Sequence, residues 1–223
     1  GNLIKECAQD QGIDRETLDI IWNAVRKLVG HAKNTGIDAI VPNTRNQWIA
    51  MANHYGVDFY SDSRDSDELR DIAIELAQEV LQRNNDMRNV IDFDDMLYLA
   101  VKFNAPFKKF DVVGVDEAQD TNVIQKVALE RMLNPGGRVI AVGDPRQAIY
   151  GFRGASAEAM EEIATTFDAI KLPLSTNYRC SKSVVRAAQQ FCPELEWWED
   201  APEGSVNSVS QFYIHDFRQT DAI

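Results

Sequence analysis

The sequence predicts an α/β protein in which a helical block leads into a parallel sheet. Three observations carry that reading. Apolar residues recur at helical spacing through roughly the first 90 positions, two short β-branched runs each end at an acidic residue, and a helix-length stretch lies between those runs. The last arrangement is a βαβ unit, whose crossover requires the two strands to be parallel.

Taken in order, the first strong helix runs from Asp14 to Gly36. Leu18, Ile21, Trp22, Val25, Leu28, Val29 and Ala32 make one apolar stripe, with Asp14 as the cap and Gly36 as the stop. A shorter helix follows Thr44, with Trp48, Ala52 and Tyr55 on one side and Gly56 ending it. Asp65 and Glu68 form an Asp-x-x-Glu variant of the capping box ahead of Leu69, Ile72, Ala73, Leu76, Ala77 and Val80. A fourth helix, from Asp92, carries Phe93, Met96, Leu97 and Ala100 and stops before Pro106, and these stripes are expected to pack on one another.

The grammar then changes. Asp111-Val112-Val113-Gly114-Val115-Asp116 and Arg138-Val139-Ile140-Ala141-Val142-Gly143-Asp144 read as buried parallel strands. The helix between them spans Asn122 to Leu133 and meets the breaker Asn134-Pro135-Gly136-Gly137. A third helix-then-strand unit is expected over Ser156 to Phe167 and Ala169 to Leu174. Residues 193 to 223 read as a loop and then a strand, and an ending within that strand-like run suggests a truncated chain.

Composition excludes several classes. At 223 residues, with 44% hydrophobic and 26% charged residues, the chain can bury a core without staples and is not disordered throughout. No apolar stretch approaches the ~20 residues of a membrane helix. Cys7, Cys180 and Cys192 cannot pair completely and lack C-x-x-C spacing, which favours a reducing compartment. A net charge of −12 argues against a surface that holds a polyanion by general attraction, so any nucleic-acid contact must be local. Residues 61 to 95 hold eleven acidic residues against four arginines, read first as a solvated helix face. His31, His54 and His215 have no partner at metal spacing and read as surface or interface histidines, and of the adjacent Trp197 and Trp198 one is expected to pack inward.

Ligands of parallel sheets collect at the carboxyl ends of the strands. Asp116-Glu117 lies at one such end, where a carboxylate can hold Mg²⁺ through water while its neighbour polarises an attacking water. The alternative is that Asp116 caps the next helix, a task open equally to Asp120 or Thr121. Gly143-Asp144-Pro145-Arg146-Gln147 places a second polar turn at the neighbouring strand end.

Val115-Asp116-Glu117-Ala118-Gln119-Asp120-Thr121-Asn122 resembles motif II, the Walker B box, of the UvrD/Rep family of superfamily 1 DNA helicases. Val142 to Ala155, containing Gly143-Asp144-Pro145-Arg146-Gln147-Ala148-Ile149-Tyr150-Gly151-Phe152-Arg153-Gly154, is similar to that family's motif III, and Leu174-Ser175-Thr176-Asn177-Tyr178-Arg179 to its motif IV. Asp92-Phe93-Asp94-Asp95-Met96-Leu97 matches the stretch that precedes motif II there.

The resemblance implies a partial RecA-like sheet of P-loop NTPase type. Residues 1–91 would be a helical insertion, 92–176 the C-terminal half of the first core domain, and 177–223 the start of a second. It further implies ATP and Mg²⁺ as cofactors, with Asp116 on the metal, Glu117 on the hydrolytic water, Gln147 and Arg179 at the γ-phosphate, and Tyr178 stacked on adenine. Tyr150, Phe152 and Arg153 would meet single-stranded DNA or a single-strand/duplex junction. The parent would be a cytoplasmic, nucleoid-associated enzyme of bacterial or phage type that translocates 3′ to 5′, with no membrane partner.

The departures are equally specific. No Gly is followed directly by Lys, so the phosphate-gripping G-x-x-x-x-G-K-[ST] loop is absent, and the family's motifs V and VI are not found. The expectation is a middle piece of a longer helicase, inactive alone, whose remaining chain supplies those parts. Arg146 stands where many members have Asp, which leaves the subfamily open. Two other readings stay in view: a catalytically dead module that binds DNA or a partner through its helical half, and an aspartyl phosphoacceptor using Asp116.

Overall fold

The helices expected after Asp14, Thr44 and Asp65 form with those residues as their caps. The computed structural model describes residues 1–62, 64–87, 89–148 and 158–207. The helical block comprises α1 (Asn2–Asp10), α2 (Arg15–Thr35), α3 (Arg45–His54), α4 (Ser66–Asp86) and α5 (Asp95–Lys102). Asp14 caps α2 by accepting from the Thr17 amide, and Gly36 closes it in the left-handed region at φ 78°, where a Cβ would sit 2.9 Å from Ile40 Cδ1. Thr44 caps α3 through the Gln47 amide. Asp65 caps α4 through the Asp67 and Glu68 amides, but the box stays half made, because Glu68 turns to the Arg64 guanidinium at 2.7 Å.

The core of the first unit lies between α1, α2, α3 and α4. Val25, Leu28, Ala32, Trp48, Leu69, Leu76, Ala77 and Leu81 are fully buried there, and Trp48 Nε1 donates to Asn43 Oδ1 at 2.7 Å. Four of the eleven acidic residues of the 61–95 stretch pair with nearby arginines: Glu68 with Arg64, Asp67 with Arg70, Asp71 with Arg45 and Arg70, and Glu79 with Arg83.

The fourth stripe packs differently from expectation. Phe93 (87% exposed), Met96 and Leu97 face outward, whereas Asp95, Tyr98 and Val101 point into the core. The cause is a buried ion pair. Lys33 of α2, 1% exposed, places Nζ 2.8 Å from Asp95 Oδ1 and 2.7 Å from Asp92 Oδ2. Asn84 of α4 donates to the same Asp95 oxygen at 2.9 Å, and Asp92 and Asp95 exchange backbone-to-carboxylate hydrogen bonds. Tyr98 completes the arrangement by donating to the Ile37 carbonyl at 2.9 Å, and its burial pushes the phenol well above its ordinary value.

His31 is buried rather than superficial, its ring stacked on Tyr55 at 4.2 Å. Burial foremost, then the charges of Lys27 and His54, holds its imidazole below the ordinary value. A base depressed in the folded state binds fewer protons there than in the unfolded chain, so stability rises with pH across the interval. Full stability is expected above about pH 6.5, with progressive loss as pH falls below that ordinary value. Thermal melts from pH 7.5 to 5 check this: His31→Phe should flatten the acid slope, and an unchanged slope would contradict it.

The sheet of the first unit pairs β1 (Phe110–Val115) in parallel with β2 (Leu133–Ala141), joined by α6 (Val123–Met132). The register runs from Val112 opposite Arg138 to Val115 opposite Ala141. The Asn134 to Gly137 breaker survives as a bulge opposite Asp111, with Gly136 at φ 77° and Asn134 Nδ2 donating to Asp111 Oδ1 at 2.8 Å. These strands are not buried as predicted: Val112, Ile140 and Val142 are about half exposed. Among the described residues the sheet has only these two strands, too few to be covered on both faces.

Helix α7 (Ala159–Thr166) follows, but Ala169 to Leu174 forms no strand. Ile170, Leu172 and Leu174 are all more than 80% exposed, as an extended segment is when no neighbouring strand pairs with it. The chain divides into two units at residues 170 and 171. In the second, β3 (Thr176–Asn177) and β4 (Glu196–Trp197) pair in parallel around α8 (Lys182–Ala188). Neither tryptophan packs inward there: both are partly exposed, Trp197 under the Arg186 guanidinium and Trp198 beside Tyr178. The strand expected near the end of the chain falls outside the described residues.

Candidate nucleotide-hydrolysis site

Parallel pairing continues past the ends of β1 and β2. The Val142 amide donates to the Val115 carbonyl at 2.8 Å, and the Ala118 amide returns to the Val142 carbonyl at 2.9 Å. The acidic pair and the Asp144 turn therefore leave the same edge of the sheet side by side.

Asp116 is exposed, with Oδ1 accepting the Glu117 amide at 3.0 Å. It does not cap α6. That role belongs to Asn122, which forms a full capping box with Gln125 and also donates to Asn34 of α2 at 2.7 Å. Glu117 adopts φ 50° and ψ 45°, a left-handed conformation that costs a non-glycine residue about 1–2 kcal/mol. The kink starts the 3₁₀ turn Ala118–Asp120 immediately after the strand, which buries Ala118 and Gln119 beneath two exposed carboxylates.

On the second strand end, Asp144 caps the 3₁₀ turn Pro145–Gln147 by accepting the Arg146 amide at 3.0 Å, and its other oxygen accepts Gln147 Nε2 at 3.0 Å. Gln119 lies between the two turns. Its Nε2 donates to Glu117 Oε2 at 2.7 Å, and its Oε1 accepts the Asp144 amide at 3.1 Å. Sequence reasoning left Gln119 without a role. Gly143 packs directly on it, and a Cβ there would lie 2.3 Å from Gln119 Oε1. Helix α7 closes the underside, with Ala159 and Ile163 buried and Lys126 of α6 paired to Glu162.

Asp116, Glu117 and Gln147 are thus brought to one edge of the first unit. Tyr178 and Arg179 belong to the second unit, where Asn177 Oδ1 accepts the Arg179 and Cys180 amides at 3.0 and 2.7 Å and turns the chain sharply after β3. Both side chains are exposed there, Tyr178 at 73%. Tyr150, Phe152 and Arg153 lie outside the described residues. Among the described residues no cluster of three or more His, Cys, Asp or Glu side chains could hold a metal by protein ligands alone, and no helix is long and apolar enough to cross a membrane.

In an α/β unit with parallel strands, an acidic pair and an amide-bearing turn on adjacent strand ends lie where ligands of such sheets collect. Comparison with known proteins gives the family: residues 2–168 match the UvrD/REP helicase N-terminal domain, and the chain belongs to that family. It is 30% identical over 166 residues to the ATP-dependent DNA helicase UvrD1 of Mycobacterium tuberculosis, covering 65% of this chain and 21% of that protein. The UvrD1 helicase of Mycobacterium leprae is 28% identical over 232 aligned positions, covering 92% of this chain and 27% of the relative. DNA helicase II of Escherichia coli is 32% identical over 146 residues, 59% and 20% of the two chains. The chain therefore spans between a fifth and about a quarter of these relatives.

Proposed function

We propose that this chain is the part of an ATP-dependent DNA helicase that carries the hydrolytic carboxylates, working with phosphate-loop and later arginine motifs from the rest of a longer protein. The observation that carries the reading is the convergence of Asp116-Glu117 and Asp144-Gln147 on one sheet edge, inside the family match.

Asp116 suits Mg²⁺, which binds through one or two carboxylates and otherwise keeps water and phosphate oxygens. It is exposed at a strand end, with only Oδ1 taken up by the backbone. When bound, the ion would supply positive charge at the β- and γ-phosphates. Glu117 would take the proton of the attacking water, Gln147 would donate its amide to a γ-phosphate oxygen, Arg179 would add positive charge at that phosphate, and Tyr178 would stack on adenine. Tyr150 and Phe152 would stack on bases of single-stranded DNA beside Arg153, with a single-strand/duplex junction as substrate and 3′ to 5′ movement. Residues 1–91 would act as a helical insertion, 92–176 as the C-terminal half of the first core domain and 177–223 as the start of the second, in a cytoplasmic protein.

The test is phosphate release from ATP by the full-length protein, with and without single-stranded DNA, beside residues 1–223 alone. DNA-stimulated turnover in the former and none in the latter is expected. A full-length protein without turnover would sink the reading.

A further inference from the structure

Gln119 is buried to 3% exposure between the two catalytic turns. Its orientation follows from chemistry. A backbone N–H can only donate, so the Asp144 amide takes the carbonyl end, Oε1, and the NH₂ end is left for Glu117. Asp144 in turn accepts from Gln147 Nε2. A continuous line of hydrogen bonds therefore runs Glu117–Gln119–Asp144–Gln147, from one strand end to the other. Gly143 keeps the line open, since any side chain there would displace Gln119 Oε1.

We propose that Gln119 is a positioning residue that holds the Glu117 carboxylate in one orientation and couples it to the Gln147 turn. The proposal rests on the hydrolytic reading given above. A primary amide offers an acceptor at one end and a donor at the other, which is what these two neighbours require. Glutamate would set carboxylate against carboxylate, and leucine would take the acceptor from the partly buried Asp144 N–H. A change in the Asp144 turn when Gln147 gains or loses its phosphate contact would move Gln119 Oε1, and Glu117 with it.

The experiment uses the full-length protein, reading single-stranded-DNA-stimulated ATP hydrolysis and thermal melting for Gln119→Glu, Gln119→Leu and Gly143→Ala. Each is expected to lower kcat about tenfold or more with KM for ATP held within about twofold, because Glu117 is misplaced while the nucleotide contacts stay. Gln119→Leu combined with Gln147→Ala should be no slower than the slower single variant, as expected for residues acting as one unit. Gln119→Glu conserves shape, so the proposal stays testable if leucine prevents folding. Wild-type kcat in a folded Gln119→Glu protein would overturn it, as would a raised KM with kcat unchanged. Glu117→Gln in the same protein separates the two levels. If that variant still turns over, the hydrolytic reading fails. If it is dead while Gln119→Glu is unaffected, only the positioning role fails.

Discussion

Glu117→Gln in the full-length protein is expected to lower the maximal rate of DNA-stimulated ATP hydrolysis by about 10²–10⁴-fold, the range for loss of a general base. Nucleotide affinity, measured separately by titration with a fluorescent ATP analogue, stays within about twofold, because the amide keeps the shape and loses only the ability to accept a proton. The geometry leads to that split. Glu117 is exposed at the sheet edge and held by Gln119 at 2.7 Å, and its backbone lies in a conformation the fold must hold against its cost. Gln119 Nε2 can still donate to the carbonyl oxygen of the substituted side chain, so the turn is expected to persist. Undiminished turnover would contradict the role of Glu117, and loss of folding would show that the carboxylate serves the turn instead.

The second large effect concerns the fold. Lys33→Ala leaves the Asp95 carboxylate, fully buried against α2, α4 and α5, without its counter-charge. Removing one partner of a buried pair costs about 3–5 kcal/mol, because the survivor stays desolvated and unpaired. Asp92 is more exposed at 59%, and water replaces much of what it loses. At a few degrees per kcal/mol for a unit of this size, melting should fall by roughly 10 °C. The double variant Lys33→Met with Asp95→Leu should recover part of that loss, since it removes both charges but takes the acceptor from Asn84 Nδ2 and the Asp92 amide. A Lys33→Ala protein melting within about 2 °C of the parent would show that the pair does not hold α5 in place.

That pair also explains where the sequence misled. Helices α2 and α4 were legible because Asp14, Gly36 and Asp65 sit at their ends and long stripes face a single core. At the start of α5 the apolar residues Phe93, just before the helix, and Met96 and Leu97 within it point outward, since the helix is docked by a carboxylate, a phenol and Val101. Apolar periodicity cannot register an inward-facing aspartate whose partner lies 62 positions away in sequence, at Lys33. The β-branched runs around Val113 and Val139 identified strands and their parallel pairing, yet their burial depends on layers that two strands do not supply. Helix α8 was missed because its seven residues offer little periodicity beyond Val184, Val185 and Ala188.

Their place at a strand end made Asp116 and Glu117 visible as candidates, the resemblance to the UvrD/Rep motif III singled out Gln147, and the strand register brings the three to one edge. Gln119 was invisible for a different reason. An amide between Ala118 and Asp120 has no evident partner until the Asp144 turn is placed 3.1 Å away. His31, with no ligand or carboxylate at useful spacing, likewise reads as a surface or interface residue until Tyr55 is found stacked on it.

Whether these two strand ends face the γ-phosphate end of bound nucleotide is decided by a structure of the full-length protein with a non-hydrolysable ATP analogue and Mn²⁺ in place of Mg²⁺. Anomalous density for the metal is expected beside Asp116, either direct or through one water, with Gln147 Nε2 within hydrogen-bond distance of a γ-phosphate oxygen and Glu117 facing the water in line with it. A nucleotide bound with its phosphates away from the ends of β1 and β2, leaving Asp116 and Glu117 in solvent, would contradict the hydrolytic role of this sheet edge.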